Sequence, residues 1–130
     1  MSGTAAGMPL REALEALRSL RRETDVIVST MGMAREWIAL GPLHPLDFVL
    51  VPSAMGHATS LGLGLALARP ERRVIVLNGD GSMLMNLGSL VTITAEGPAN
   101  LTVILSDNGA YEVTGAQPTP GSAAGRSRWT

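Results

Sequence analysis

The stretch Val74 to Met83, "VIVLNGDGSM", runs from an apolar, β-branched segment straight into a turn rich in glycine and polar residues. Asn-Gly and Asp-Gly pairs are strong hairpin signals, and a hairpin would make this an antiparallel β protein. A hairpin requires a second strand of alternating polarity after the turn. Here Leu84, Leu87, Val91 and Ala95 recur at helical spacing instead, which predicts one helix over 82–95. The turn is therefore read as strand to helix, with Gly81 and Ser82 at the helix start, where unpaired backbone N–H groups favour an anion.

The same alternation extends outward in both directions. Leu10, Leu14, Leu17 and Leu20 predict an amphipathic first helix ending near Arg22, followed by a buried strand at 25–30 and a helix at 33–40 stopped by Gly41-Pro42. "DFVLV" at 47–51 reads as a strand closed by Pro52, and "SAMGHATSLGLGLALA" as a tightly packed helix ended by Arg69-Pro70. After Gly97-Pro98, "NLTVILS" is a fourth strand. Short β-branched runs alternating with helices predict an α/β domain with a mainly parallel sheet. Ligands of such sheets gather beyond the carboxyl ends of the strands, and "PSAMG", "NGDGS" and "SDNGAYEVTG" are the loops expected there.

Bulk properties narrow the function. The 130 residues, 45% apolar, suit one domain, placed at 1–117, with 118–130 read as a loop or disordered tail for want of apolar periodicity. Ten basic residues, all arginine, against eleven acids give no nucleic-acid footprint, and 3% aromatics leave little for base stacking. The absence of cysteine excludes disulfides, thiolate metal sites and cysteine nucleophiles. The uncharged run 48–68 is broken by Pro52, Ser53, His57, Thr59, Ser60 and three glycines, so a buried segment is expected and a membrane span is not. "MSGTAAGMPL" lacks the basic and apolar regions of a signal peptide, and a cytoplasmic location is the expectation.

Asp80 resists a purely structural account, because a carboxylate beside an anion site repels the anion. A Mg²⁺ ion between them removes the conflict, since it commonly joins one or two carboxylates to phosphate oxygens; a simple helix cap is the competing account. Asn108 in "SDNGAY" follows Asp80 by 28 residues, one strand–loop–helix–strand unit, so the two share a sheet edge and could ligate one ion. An Asx turn is the alternative there, and Asp107 is an alternative ligand.

"GDGS" followed at this distance by "DNGAY" resembles the diphosphate-and-metal motif of thiamine diphosphate enzymes. "SAMGHATSLGLGLALA", "NGDGSMLMNLGSLVTI" and "SDNGAYEVTGAQPT" are similar to the cofactor-binding part of sulfopyruvate and phosphonopyruvate decarboxylases, over roughly Leu10 to Thr119. The resemblance implies the three-layer α/β/α fold of that family. It implies a metal held by Asp80, Asn108 and the Ala110 carbonyl, with Gly79, Gly81, Ser82 and Tyr111 around the diphosphate. It further implies that Ser53, Ala54 and Met55 support the bent cofactor, Met55 as the wedge between its rings and the Ser53 carbonyl as acceptor for the pyrimidine amino group; a core methionine is the alternative for Met55.

His57 is a candidate to face a substrate carboxylate, with a polar helix-start role as the alternative, and Thr114 and Gln117 are candidates to touch substrate or cofactor. Glu112 stands where the family is expected to carry a small residue, which bears on loop geometry and substrate charge. Arg35, Arg69, Arg72 and Arg73 are read as solvated charges. The activating glutamate of the family lies on a separate pyrimidine-binding domain for which this chain is too short. An α-type partner subunit is therefore implied, in a hetero- or homo-oligomer, with the glycines and alanines of 56–68 packing against it. The substrate class implied is a small anionic 2-oxo acid, with carboligation of the acetolactate synthase kind, or a non-catalytic remnant, as alternatives. The family continues past the Thr-Gly-x-Gln loop into further helix and strand, so the chain is expected to be a truncated form of the fold.

Overall fold

The computed structural model describes residues 7–50 and 54–123. In chain order it contains α1 (Leu10–Leu20), β1 (Val26–Thr30), α2 (Met31–Ala39), β2 (Asp47–Leu50), α3 (Ala58–Ala68), β3 (Val74–Gly79), α4 (Asp80–Leu84), α5 (Gly88–Glu96) and β4 (Leu101–Ser106). There follow β5 (Ala110–Tyr111), a 3-10 turn (Glu112–Thr114), β6 (Gln117–Pro118) and α6 (Pro120–Ala123). Strands β1 to β4 form one parallel sheet in the order β2-β1-β3-β4, as the alternating pattern predicts.

Both faces of the sheet are covered, which is why its central strands read as unbroken apolar runs rather than alternating ones. Odd and even positions still divide the work. Ile27, Ile75 and Leu77 pack with Leu14 of α1 and Met33 and Trp37 of α2 on one face. Val26, Val28, Val74 and Val76 pack with Ala58 and Ala66 of α3 on the other. The result is a three-layer α/β/α domain. Trp37, fully buried, donates its indole N–H to Asp47 Oδ2 at 3.1 Å, so its one polar atom is satisfied.

On one side of α3 the small residues serve the domain's own packing, so only the other side is open to the partner packing expected of them. A Cβ on Gly62 would lie 2.2 Å from Val76 Cγ2, so α3 crosses β3 at a separation only glycine permits. Gly64, two residues further along the helix, has open space where its side chain would be. The inward set is therefore Ala58, Gly62 and Ala66, four residues apart, and only the outward remainder is available to anything else.

The single helix expected over 82–95 is instead two. Its supposed apolar face is not the inward one: Leu87 and Val91 are exposed, Val91 to 72%. The break at 85–87 is pinned by Asn86, whose side-chain amide donates to the Gly56 carbonyl at 2.9 Å and reaches Ser60 Oγ at 3.3 Å. α5 then rests on α3 rather than on the sheet, and the contact is polar, between Ser89 Oγ and Thr59 Oγ1 at 2.8 Å. It ends at Gly97, whose left-handed conformation (φ 56°) closes the helix as the Gly97-Pro98 break predicts.

The start of the supposed tail is ordered into β6 and α6, with β6 pairing antiparallel to β5. Lack of apolar periodicity was a poor guide there, because a two-residue ribbon is held by backbone pairing and by Thr119, not by a hydrophobic face. Residues 124–130 of that tail, Val51 and Pro52 at the end of the second predicted strand, and Ser53 lie outside the described residues. Among the described residues no helix is long and apolar enough to cross a membrane.

Candidate functional site

A cavity of about 700 Å³ opens at the carboxyl edge of the sheet, where the topology of parallel α/β proteins places ligands. Each surrounding strand contributes the loop that follows it: Met31 and Gly32 after β1, Met55 after β2, Gly79 to Ser82 after β3, and Asp107 to Val113 after β4. The pairing of Gly79 with Ser106 is decisive, since it sets Asp80 and the Asp107-Asn108 pair side by side just beyond the same edge.

The strand-to-helix turn is built from inside. Asn78 is fully buried at the end of β3, with Oδ1 accepting from the Gly79 N–H at 3.0 Å. Gly79 caps α4 in an extended conformation, so Asp80, Gly81 and Ser82 occupy the first helical turn with their N–H groups unable to bond within the helix. Gly81 is required by a close approach: its Cβ would stand 2.7 Å from Tyr111 Cδ1. Tyr111 thus lies directly over the helix start. Ser82 Oγ accepts from the Gly56 N–H at 2.9 Å, and accepting leaves the hydroxyl's own hydrogen to donate elsewhere.

The 54–57 turn is held by these same groups, with Gly56 at φ +83° and Ala54 at φ +77°. Ala54 and Met31, the latter lining the cavity at φ +53°, are non-glycine residues in the left-handed region, a strain of roughly 1–3 kcal/mol each of the kind that collects at functional sites. Thr30 Oγ1 reaches the Ala54 carbonyl at 3.5 Å and ties the two loops together.

The second loop is a pair of overlapping Asx turns. Asp107 Oδ1 accepts from the Gly109 N–H at 3.1 Å and Asn108 Oδ1 from the Ala110 N–H at 3.0 Å. The turn reading of Asn108 and the ligand reading are compatible, because an amide oxygen carries two lone pairs. Asn108 Nδ2 meets Glu112 Oε2 at 3.3 Å, so Glu112 bears on the orientation of that amide. Sequence reasoning left out Thr119, which is 1% exposed and donates its hydroxyl to Asp80 Oδ2 at 3.0 Å. Its only sequence signal is a β-branched polar residue between Pro118 and Pro120, too short a pattern to distinguish from a loop.

Ala54, Met55, Gly79, Asp80, Gly81, Ser82, Asn108, Ala110 and Tyr111 are thus brought to one place, all but Ala54 lining the cavity itself. His57 is not: it is exposed just before α3 and is not among the described residues of the lining. Thr114 and Gln117 are exposed on the β5–β6 ribbon, with Gln117 packed over Gly115. Arg69 and Arg72 sit beside Glu71, and Arg73 pairs with Asp25 at the opposite end of the sheet. Burial pushes the Asp25 carboxyl up, but the Arg73 guanidinium and the Arg22 N–H outweigh it and hold the group below the ordinary carboxylate value. The shifted groups therefore stabilise the far edge and take no part in the cavity.

The donors at the cavity suit a hard cation beside a phosphate. Among the described residues no three His, Cys, Asp or Glu side chains group to hold a metal; the cavity lining offers instead the buried Asp80 carboxylate, the Asn108 amide and the backbone oxygens of the surrounding loops. Oxygen-only sets of this kind suit Mg²⁺, which keeps few protein ligands and completes its shell with phosphate and water.

Residues 26–128 match the family model described as "Thiamine pyrophosphate enzyme, C-terminal TPP binding domain". The chain is 46% identical over 109 residues to the sulfopyruvate decarboxylase subunit beta of Methanothermobacter thermautotrophicus, covering 83% of this chain and 57% of that one. It is 44% identical over 123 residues to the phosphonopyruvate decarboxylase of Streptomyces viridochromogenes, covering 93% of this chain and 30% of that one. The subunit beta of Methanocaldococcus jannaschii is 45% identical over 97 residues, 75% of this chain and 50% of that one. The chain spans about half the length of these subunits and under a third of the phosphonopyruvate enzyme. With the family match running from β1 past α6, the protein belongs to the thiamine pyrophosphate enzymes, as their C-terminal TPP binding domain.

Proposed function

We propose that the chain is the diphosphate- and Mg²⁺-binding subunit of a 2-oxo acid decarboxylase acting on a short anionic substrate of the sulfopyruvate or phosphonopyruvate kind. The observation that carries it is the register of β3 with β4, which brings Asp80 and Asn108 to one cavity beside a helix start. Asp80, Asn108 Oδ1 and the Ala110 carbonyl would hold the metal, and the N–H groups of Gly81 and Ser82 would meet the diphosphate. Met55, on the strained turn across the cavity, would support the cofactor's rings. Thiamine diphosphate supplies the electron sink for loss of carbon dioxide; this chain's residues bind it, orient it and exclude water.

The charge of the cavity supports a partner. Glu36, Asp80, Asp107 and Glu112 line it, and no arginine or histidine is among its described lining residues. A single Mg²⁺ would offset the diphosphate only in part, so cations for the substrate's two acidic groups would have to come from a second, pyrimidine-binding subunit, together with the acid that activates the cofactor. The names of the relatives, subunits beta of sulfopyruvate decarboxylase, favour the same assembly.

Asp80→Ala is the direct test. Calorimetry of the assembled enzyme is expected to show Mg²⁺-dependent thiamine diphosphate affinity falling by at least about tenfold; unchanged affinity removes the metal assignment. Product analysis with sulfopyruvate and with pyruvate alone separates decarboxylation from carboligation, since acetolactate would accumulate only in the second case.

A further inference from the structure

We infer that Thr119 is a positioning residue of this site, holding the Asp80 carboxylate in the orientation a divalent cation needs and tying it to the Asn108 turn. The inference rests on the cofactor reading above. Its hydroxyl donates to Asp80 Oδ2 at 3.0 Å, and its backbone N–H donates to the Gly109 carbonyl at 2.8 Å. One residue thereby bridges the loop after β3 and the loop after β4, the two that the sheet register only sets side by side.

Chemistry favours this use of a threonine. A carboxylate has about four lone-pair positions, and one donated hydrogen bond to Oδ2 restricts its rotation while leaving the others for a cation. Thr119 and Asp80 are both buried, at 1% and 5% exposure, where a hydrogen bond to a charged group is stronger than at the surface. Groups that orient a ligating carboxylate in this way are as much part of a metal site as the ligands themselves.

The backbone explains how so short a segment can do this. The chain leaves Tyr111, reverses through Ala116 (φ 58°) and Gly115 (φ 115°), and returns along β5 with Ala110 opposite Pro118 and Tyr111 opposite Gln117. Pro118 has a fixed φ, and Pro120 confines the residue before it to extended backbone. Thr119 is therefore held rigidly from both sides, at little further entropic cost, against Asp80.

Two measurements on the full chain decide the matter. In thermal unfolding without metal, Thr119→Val, Asp80→Ala and the double variant are compared. The double variant is expected to lose clearly less Tm than the two single losses added together, because both remove the same bond; additive losses overturn the contact. In calorimetric titration of the native assembly with Mg²⁺ and thiamine diphosphate, Thr119→Val is expected to bind about tenfold more weakly. Thr119→Ser, which keeps the hydroxyl, should stay close to wild type. Wild-type affinity in Thr119→Val overturns the positioning role and leaves the cofactor reading standing. A loss in Thr119→Ser as large as in Thr119→Val also overturns it, since the hydroxyl would then be present without orienting the carboxylate. Absence of binding by the wild type removes the cofactor reading and the positioning role with it.

Discussion

Gly81→Ala isolates how the site is packed. The added Cβ would lie 2.7 Å from Tyr111 Cδ1 and 3.0 Å from Cε1, against the ~3.5–4.0 Å of ordinary carbon contacts, so the ring must yield by roughly 1 Å. Overpacking of this size costs about 1–3 kcal/mol, and the lower end applies because Tyr111 is only half-buried and can swing outward. Alanine in the first turn of α4 recovers up to about 1 kcal/mol of helix propensity. The net loss of stability should be at most about 1 kcal/mol by denaturant unfolding, while Mg²⁺-dependent thiamine diphosphate binding should fall further, since the displaced ring is the one that lies directly over the helix start. The control is the same change in a Tyr111→Ala background. There the clashing atoms are gone, and Gly81→Ala should be neutral or slightly stabilising. An equal penalty in both backgrounds would refute the steric reasoning and assign the glycine's value to backbone freedom.

Further expectations concern the frame around the site. Gly62→Ala should destabilise the domain by about 1–3 kcal/mol in denaturant unfolding, because its Cβ meets Val76 Cγ2 at 2.2 Å, whereas Gly64→Ala should be neutral or stabilising by up to about 1 kcal/mol in open space on the same helix. Asp25→Asn should cost about 1–3 kcal/mol at neutral pH by weakening the pair with Arg73. The folded carboxyl titrates below its ordinary value of 3.8, so its stabilisation is complete above that value and is lost as pH falls through the lowered one. The gap between wild type and Asp25→Asn in unfolding experiments should be constant above about pH 5 and close on further acidification. Asn86→Ala should loosen the 54–57 turn, measured as faster amide exchange at Gly56 and His57, because the Gly56 carbonyl loses its donor at 2.9 Å.

Much of the fold was legible from "VIVLNGDGSM" outward. Local sequence specifies strand against helix through apolar period, and breaks through Gly-Pro pairs, so the four parallel strands and the strand-to-helix turn followed from the chain alone. The carboxyl-edge rule then named the loops that line the cavity. Where reading failed, the reason was a polar contact between distant residues. A continuous helix over 82–95 looked sound until Asn86 found Gly56, and the stripe of Leu87 and Val91 faced outward because α5 covers α3 through Ser89 and Thr59. The small residues of α3 could be assigned to an inner or an outer face only once Val76 was in place opposite Gly62.

The sequence by itself determined the chemical identities at the site: a carboxylate at the start of a helix, an amide one βαβ unit later, and glycines where backbone must come close. Those properties are local, and residue type with spacing encodes them. Tertiary structure alone decided which of these groups meet. The β3–β4 register placed Asp80 beside Asn108, Tyr111 closed over Gly81, His57 stayed out of the described lining, and Thr119 was carried back along a two-residue ribbon to bond Asp80. Such pairings depend on the relative placement of segments up to 39 residues apart, which packing and backbone pairing set and no local pattern records.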